Sequence, residues 1–160
     1  MAAESLTTCL WFDGKAEEAA NHYVSIFKNA ALGDVTRAGE GGPGKPGSII
    51  TVEFELNGQK FVGLNGGPEF TFNESVSFVI HCDDQAEVDY YWSRLTEGGQ
   101  EAPCGWLKDK FGLSWQVVPT VLYELMSDPD PEKAGRAAQA MLSTQGKLDI
   151  AKLKKAHAGG

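Results

Sequence analysis

The sequence predicts an α+β protein made of two copies of a strand-helix-strands module, followed by C-terminal helices. Three observations carry that expectation. The stretch Thr7-Thr8-Cys9-Leu10-Trp11-Phe12-Asp13 leads into a helical pattern, and Ser77-Phe78-Val79-Ile80-His81-Cys82-Asp83 does the same later in the chain. Asn57-Gly58-Gln59-Lys60-Phe61-Val62 is echoed by Phe111-Gly112-Leu113-Ser114-Trp115-Gln116, each a turn feeding a strand. The helical patterns themselves repeat the i, i+3, i+4, i+7 spacing of an amphipathic face. A duplicated module of this kind implies a cleft between the copies.

Leu6 to Phe12 is apolar at successive positions and reads as an interior strand, ended by Asp13-Gly14. Ala16, Ala19, Ala20, Tyr23, Val24 and Phe27 then mark one helix face, with Glu18, His22 and Ser25 on the other. After Gly33 a short strand through Val35 and Thr36 meets residues 39–47, which hold five glycines and two prolines and predict a mobile loop at the rim of a cleft. Ser48 to Leu56 alternates, with Ile50, Val52, Phe54 and Leu56 set against Thr51, Glu53 and Glu55, a half-buried strand. Asn57-Gly58 is a tight hairpin turn, and Gln59 to Asn65 returns.

In the second copy Val88, Tyr91, Trp92 and Leu95 form the helix face, stopped by Gly98-Gly99. Residues 105–108 and 113–119 flank the turn at 109–112. Asp130 caps and Pro131 opens a further helix whose buried stripe is expected at Ala134, Ala137, Ala138, Met141 and Leu142. Residues 148–153 add a last helical stretch. The modules are drawn at 5–67 and 68–120 with a helical tail at 121–160, all within one compact domain.

The composition narrows the function. Lys and Arg number 14 against 22 Asp and Glu, a formal net charge of -8, which opposes binding to nucleic acid phosphates and to anionic membranes. Cys9, Cys82 and Cys104 match neither a disulfide framework nor a CxxC metal knuckle, which favours a reducing cytoplasm. No export signal and no run of apolar residues long enough for a membrane span is expected.

Three phrases, Leu10-Trp11-Phe12-Asp13-Gly14-Lys15-Ala16-Glu17-Glu18-Ala19-Ala20, Leu64-Asn65-Gly66-Gly67-Pro68 and Gly105-Trp106-Leu107-Lys108-Asp109-Lys110-Phe111-Gly112-Leu113-Ser114-Trp115-Gln116, resemble the PhnB-like proteins. That group, also labelled demethylubiquinone methyltransferase-like, is a branch of the vicinal oxygen chelate superfamily, with glyoxalase I and the bleomycin- and fosfomycin-resistance proteins. The resemblance implies the glyoxalase/bleomycin-resistance fold: two βαβββ modules, each curling a sheet around a cavity, in a homodimer. The methyltransferase label finds no support in the residues, since no Gly-rich nucleotide-binding turn opens a βαβ unit.

Catalytic members of the superfamily hold a divalent metal with His, Gln or Glu from the first and last strands of each module. The resemblance carries those positions onto Thr7 and Ser77, and onto Val62 and Gln116, of which only Gln116 is a plausible ligand. The expectation is therefore no cofactor, with one divalent metal as the alternative. Strand alternation places Thr7, Cys9 and Trp11 on one face, and Ser77, Val79 and His81 on another, with Leu10, Phe12, Phe78 and Ile80 toward the helices.

Thr7, Cys9, Trp11, Ser77, His81, Trp106 and Gln116 are the expected contacts to a small organic molecule. Trp11, Phe70, Phe72, Trp106 and Trp115 offer aromatic walls or core. A metal-free binding protein is favoured. The alternative is a small-molecule enzyme of glyoxalase, dioxygenase or transferase type, either metal-dependent or using His81 as a base or Cys104 as a nucleophile. An isolated His is more often satisfied by a backbone carbonyl, and an isolated Cys is more often a small apolar filler. His22 and His157 are expected to be solvated, and an assembly module without any ligand is the third reading.

Overall fold

A computed structural model describes residues 5–160. The chain divides into two compact units, the first ending at Phe72 and the second spanning Asn73–Gly160. Each has the same element order.

The first unit runs β1 (Thr8–Phe12), α1 (Ala16–Ile26), β2 (Ala30–Arg37), β3 (Ile49–Leu56) and β4 (Gln59–Asn65). Its sheet order is β1-β4-β3-β2, with β1 parallel to β4 and the other pairs antiparallel. Asn57 and Gly58 both take positive φ, 49° and 83°, the requirement of a two-residue hairpin whose twist matches its strands. The α1 face Ala16, Ala19, Ala20, Tyr23 and Ile26 is buried with Val52, Phe54 and Phe61. Small alanines let the helix approach the sheet, and Phe54 and Phe61 stack at 5.1 Å.

The second unit runs β5 (Ser77–Cys82), α2 (Gln85–Thr96), β6 (Gln100–Glu101), β7 (Trp106–Lys108) and β8 (Ser114–Pro119), ordered β5-β8-β7-β6 with β5 parallel to β8. Asp84 caps α2 by accepting from the Glu87 N–H at 2.9 Å, while Glu87 accepts from the Asp83 N–H at 2.9 Å. Val88, Tyr91, Trp92 and Leu95 are its buried face. Helices α3 (Val121–Met126), α4 (Pro131–Leu142) and α5 (Ile150–Ala158) follow, and Val118, Leu122, Leu148 and Leu153 form the apolar cluster beneath them.

Several expectations need correction. Leu6 is 94% exposed and lies outside β1, and β1 is an edge strand with Leu10 and Phe12 buried and Cys9 exposed, so it is half-covered rather than interior. Strand β2 starts before Gly33, because antiparallel pairing with β3 extends to Ala30. In α4 Ala137 is fully buried and Ala134, Ala138 and Met141 are partly buried, as expected, but Leu142 is 60% exposed and Ala140 joins the contact instead. Strand β6 and helix α3 were not anticipated. Each is short: two polar residues carry no periodicity, and α3 spans fewer than two turns.

Candidate functional site

The two modules share one hydrogen-bonding register. Cys9 pairs with Val62 across β1 and β4, and Val79 pairs with Gln116 across β5 and β8. With Thr7 and Ser77 taken as equivalent first-strand positions, these registers put Val62 and Gln116 at the same place in their sheets. In each unit one sheet face meets the helix and the other carries the predicted site residues.

On the helix side of the second sheet Phe78, Trp115 and Leu107 form one row, with Ile80 beside Val117 and Cys82 beside Pro119. Trp115 is 2% exposed, and its indole N–H donates to Asp109 Oδ2 at 2.9 Å. The other oxygen of Asp109, Oδ1, accepts from the N–H groups of Phe111 and Leu113 at 2.8 and 3.1 Å. Trp115 is thus core and Asp109 organises the β7–β8 turn, a role hidden in the sequence because an Asp in a turn ordinarily faces water. Burial pushes the Cys82 thiol up to about 12, helped by the nearby carboxylates Glu87, Asp83 and Asp84. Cys82 faces away from His81, as alternation requires.

The opposite face carries Ser77, Val79 and His81 from β5, Gln116 from β8 and Trp106 from β7. Gln116 is the middle of a row, with Val79 across one strand boundary and Trp106 across the other. Its Nε2 donates to Ser77 Oγ at 2.9 Å, which fixes the amide and leaves its carbonyl oxygen as an acceptor. Val79 is 39% exposed, Trp106 and Gln116 are half-buried, and His81 is exposed. The His81 ring lies 5.7 Å from that of Tyr123 and makes no side-chain hydrogen bond among the described residues. Among the described residues no backbone carbonyl accepts from this exposed imidazole.

In the first sheet the corresponding row is Cys9, Val62 and Glu53. Trp11, half-buried, donates its indole N–H to the Gly67 carbonyl at 2.9 Å and stands edge-on to Phe70 at 4.9 Å. A Cβ on Gly66 would come within 2.3 Å of the indole, so the Gly66-Gly67 pair is what lets the ring lie flat on the backbone. Phe72 packs edge-on against Phe12 at 5.3 Å. Thr7 borders a cavity of about 320 Å³ together with Gly33, Glu53, Glu55 and Lys60.

A cavity of about 600 Å³ lies within the first unit, beside the loop at 39–47. Pro43 and Gly44 line it with Asp13, Glu17, Ile50 and Asn65, and Asn65 also accepts the Ala16 N–H at 2.9 Å.

Cys104 takes the left-handed conformation, φ 61°, and its thiol donates to the Leu142 carbonyl at 3.6 Å. The Cys104 and Gly105 N–H groups donate to the Thr144 and Gly146 carbonyls at 2.8 and 2.9 Å, so the strained turn is held by the loop after α4. His157 is not solvated: it pairs with Asp128 at 2.8 Å, and Arg136 donates to the His157 carbonyl at 2.8 Å, tying α5 to α4. Asp128 is held below the usual carboxylate value, first by the Asp130 N–H and then by His157. His22 is half-buried beside Tyr23.

The metal positions implied by the resemblance do not fit a metal. Thr7 and Val62 in one module, and Ser77 and Gln116 in the other, offer two hydroxyls, one amide and no imidazole, carboxylate or thiolate. Among the described residues no three His, Cys, Asp or Glu side chains converge as a metal-holding group. Among those residues, too, no helix is long and apolar enough to cross a membrane.

Comparison with known proteins completes the placement. The PhnB protein from Bacillus cereus is 36% identical, with 73% of this chain and 100% of that one aligned at a TM-score of 0.66. A protein from Pseudomonas aeruginosa shares the fold at 19% identity and TM-score 0.58, over 73% of this chain and 98% of that one. The genomically encoded fosfomycin resistance protein FosX from Listeria monocytogenes does so at 15% identity and 0.51, over 78% and 98%. No curated protein gives a significant match. These likenesses, the paired βαβββ units and the match of residues 4–118 agree: the chain has the glyoxalase/bleomycin-resistance fold and belongs to the PhnB-like family described as 3-demethylubiquinone-9 3-methyltransferase.

Proposed function

We propose that this protein binds a small, partly apolar organic molecule on the open faces of its sheets, without a conventional metal centre, as a cytoplasmic homodimer. The observation that carries the proposal is the row Val79, Gln116 and Trp106. An aliphatic group, an oriented amide and an indole stand side by side on a face that the module's own helix does not cover. Ser77 accepts from Gln116 and keeps its O–H for a ligand or water, so the pair offers that hydroxyl, the second Gln116 N–H and the Gln116 carbonyl oxygen. Trp106 supplies a flat apolar wall, and His81 closes the end of the face beside Tyr123. On the first sheet Thr7, Cys9 and Trp11 have the equivalent role.

Homodimer formation is supported by the exposed apolar side chains Tyr123, Met126 and Leu142 of the C-terminal helices, which a second copy would cover. The family's descriptive name does not decide the reaction, since fold membership leaves the chemistry to the site. The test is an NMR titration of the chelator-treated protein with benzyl alcohol and related small aromatic alcohols. Saturable shifts at the Ser77, Trp106 and Gln116 amides, weakened in Gln116→Ala, are expected. Shifts confined to other surfaces would sink the proposal.

A further inference from the structure

The duplicated register exposes a difference between the modules. The open-face row of the second sheet is Val79, Gln116 and Trp106, whereas that of the first is Cys9, Val62 and Glu53. The polar group of the first module therefore stands one strand further from the parallel pair, and it is a carboxylate rather than an amide. We infer that Glu53 is a specificity-determining residue of the first module's open face, selecting a ligand that carries a protonated amine.

Three features of the structure lead there. Strand β2 passes Glu53 with a register shift between Leu32 and Val35, and the residue alongside is Gly33. A Cβ at Gly33 would sit 3.0 Å from Glu53 Cβ, so the glycine lets β2 pass without crowding the base of this exposed side chain. Second, the Glu53 side chain makes no ion pair or hydrogen bond among the described residues. The nearest basic side chain of the same cavity, Lys60, stands directly across the strands from Glu55 and offsets that charge, leaving the charge of Glu53 in excess. Third, Glu53 and Thr7 border one cavity of about 320 Å³, room for a small amine, with the apolar Ala31 and Leu32 beside them. An ammonium group donates to a carboxylate and to the Thr7 hydroxyl with charge-assisted strength that an alcohol or an acid cannot match.

The inference rests on the open-face binding proposed above, and one experiment separates the two. The intact protein is titrated by NMR with benzylamine, protonated at neutral pH, with the near-isosteric benzyl alcohol, and with benzoate. Benzylamine is expected to shift the Thr7, Gly33 and Glu53 amides saturably. It should bind there about two- to fivefold more tightly than benzyl alcohol, and Glu53→Gln should remove that preference. Glu40→Gln, an equal charge change in an exposed loop, should not. Equal binding of amine and alcohol at this face, or an amine preference that survives Glu53→Gln, overturns the inference while leaving open-face binding intact. Absence of saturable binding to either sheet by any of the three probes overturns both.

Discussion

Gln116 Nε2 donates to Ser77 Oγ across the parallel pair β5–β8, at 2.9 Å. This bond aims the amide before any ligand arrives, so the cost of ordering Gln116 is already met in the free protein. Gln116→Ala is expected to weaken binding of an aromatic alcohol by about 1 kcal/mol or more, with a far-UV CD spectrum unchanged. Ser77→Ala should weaken it less, because the amide is released but retained. Equal binding in wild type and Gln116→Ala, measured by calorimetry, would remove Gln116 from the site.

Asp109 is the polar keystone of the second unit. It accepts from two backbone N–H groups and from the Trp115 indole while only 3% exposed. Asp109→Ala strands three donors and should cost about 3 kcal/mol or more in urea unfolding, well above the loss from Gln116→Ala. Asp109→Asn, which keeps one carbonyl acceptor, should fall between.

Trp11 and Gly66 test the first unit in the same way. Because a Cβ at Gly66 would meet the indole at 2.3 Å, Gly66→Ala should force the ring off the backbone and break its bond to Gly67. A loss of roughly 1–3 kcal/mol is expected, the usual range for overpacking. Trp11→Phe in the same background should recover part of it, since the smaller ring leaves room for the methyl group.

Cys82 and Cys9 should differ sharply as nucleophiles. Cys9 is exposed, whereas Cys82 is buried with its thiol pushed up to about 12. Alkylation of the folded protein near pH 8 followed by peptide mapping should label Cys9 and spare Cys82. Raising the folded value above the ordinary 9.0 also means that this group's stabilising contribution is complete below about pH 9 and declines as pH rises toward 12. The Cys82→Ala variant should show a shallower loss of stability across that window.

Static light scattering should give roughly twice the 17.2 kDa chain mass if the exposed Tyr123, Met126 and Leu142 are covered by a second copy. A mass near that of one chain at micromolar concentration would contradict the homodimer.

Much of the fold is legible in the sequence because its helix faces and the β3 alternation are long enough to have a period. The α1 alanines and the Val88, Tyr91, Trp92 and Leu95 face fall where their spacing puts them. Only the end of the α4 stripe is misread, because Leu142 is apolar in sequence but sits at the helix end, where few neighbours can cover it. At the site, alternation and the repeat identify Ser77, His81 and Gln116 as one face, and the register of β4 and β8 agrees. Glu53 escapes such reading. As one polar residue of an alternating strand it looks like any solvated glutamate, and only its place across from Val62, beside Gly33, distinguishes it.

The central claim, an organic ligand held without a conventional metal, is tested most directly by native mass spectrometry of protein purified without chelator, compared with its denatured mass. The account predicts an excess mass belonging to an organic molecule, or none, with no metal increment, and density for any such molecule against Gln116. Near one equivalent of zinc, nickel or iron, whose removal abolishes binding of the aromatic alcohols, would contradict it.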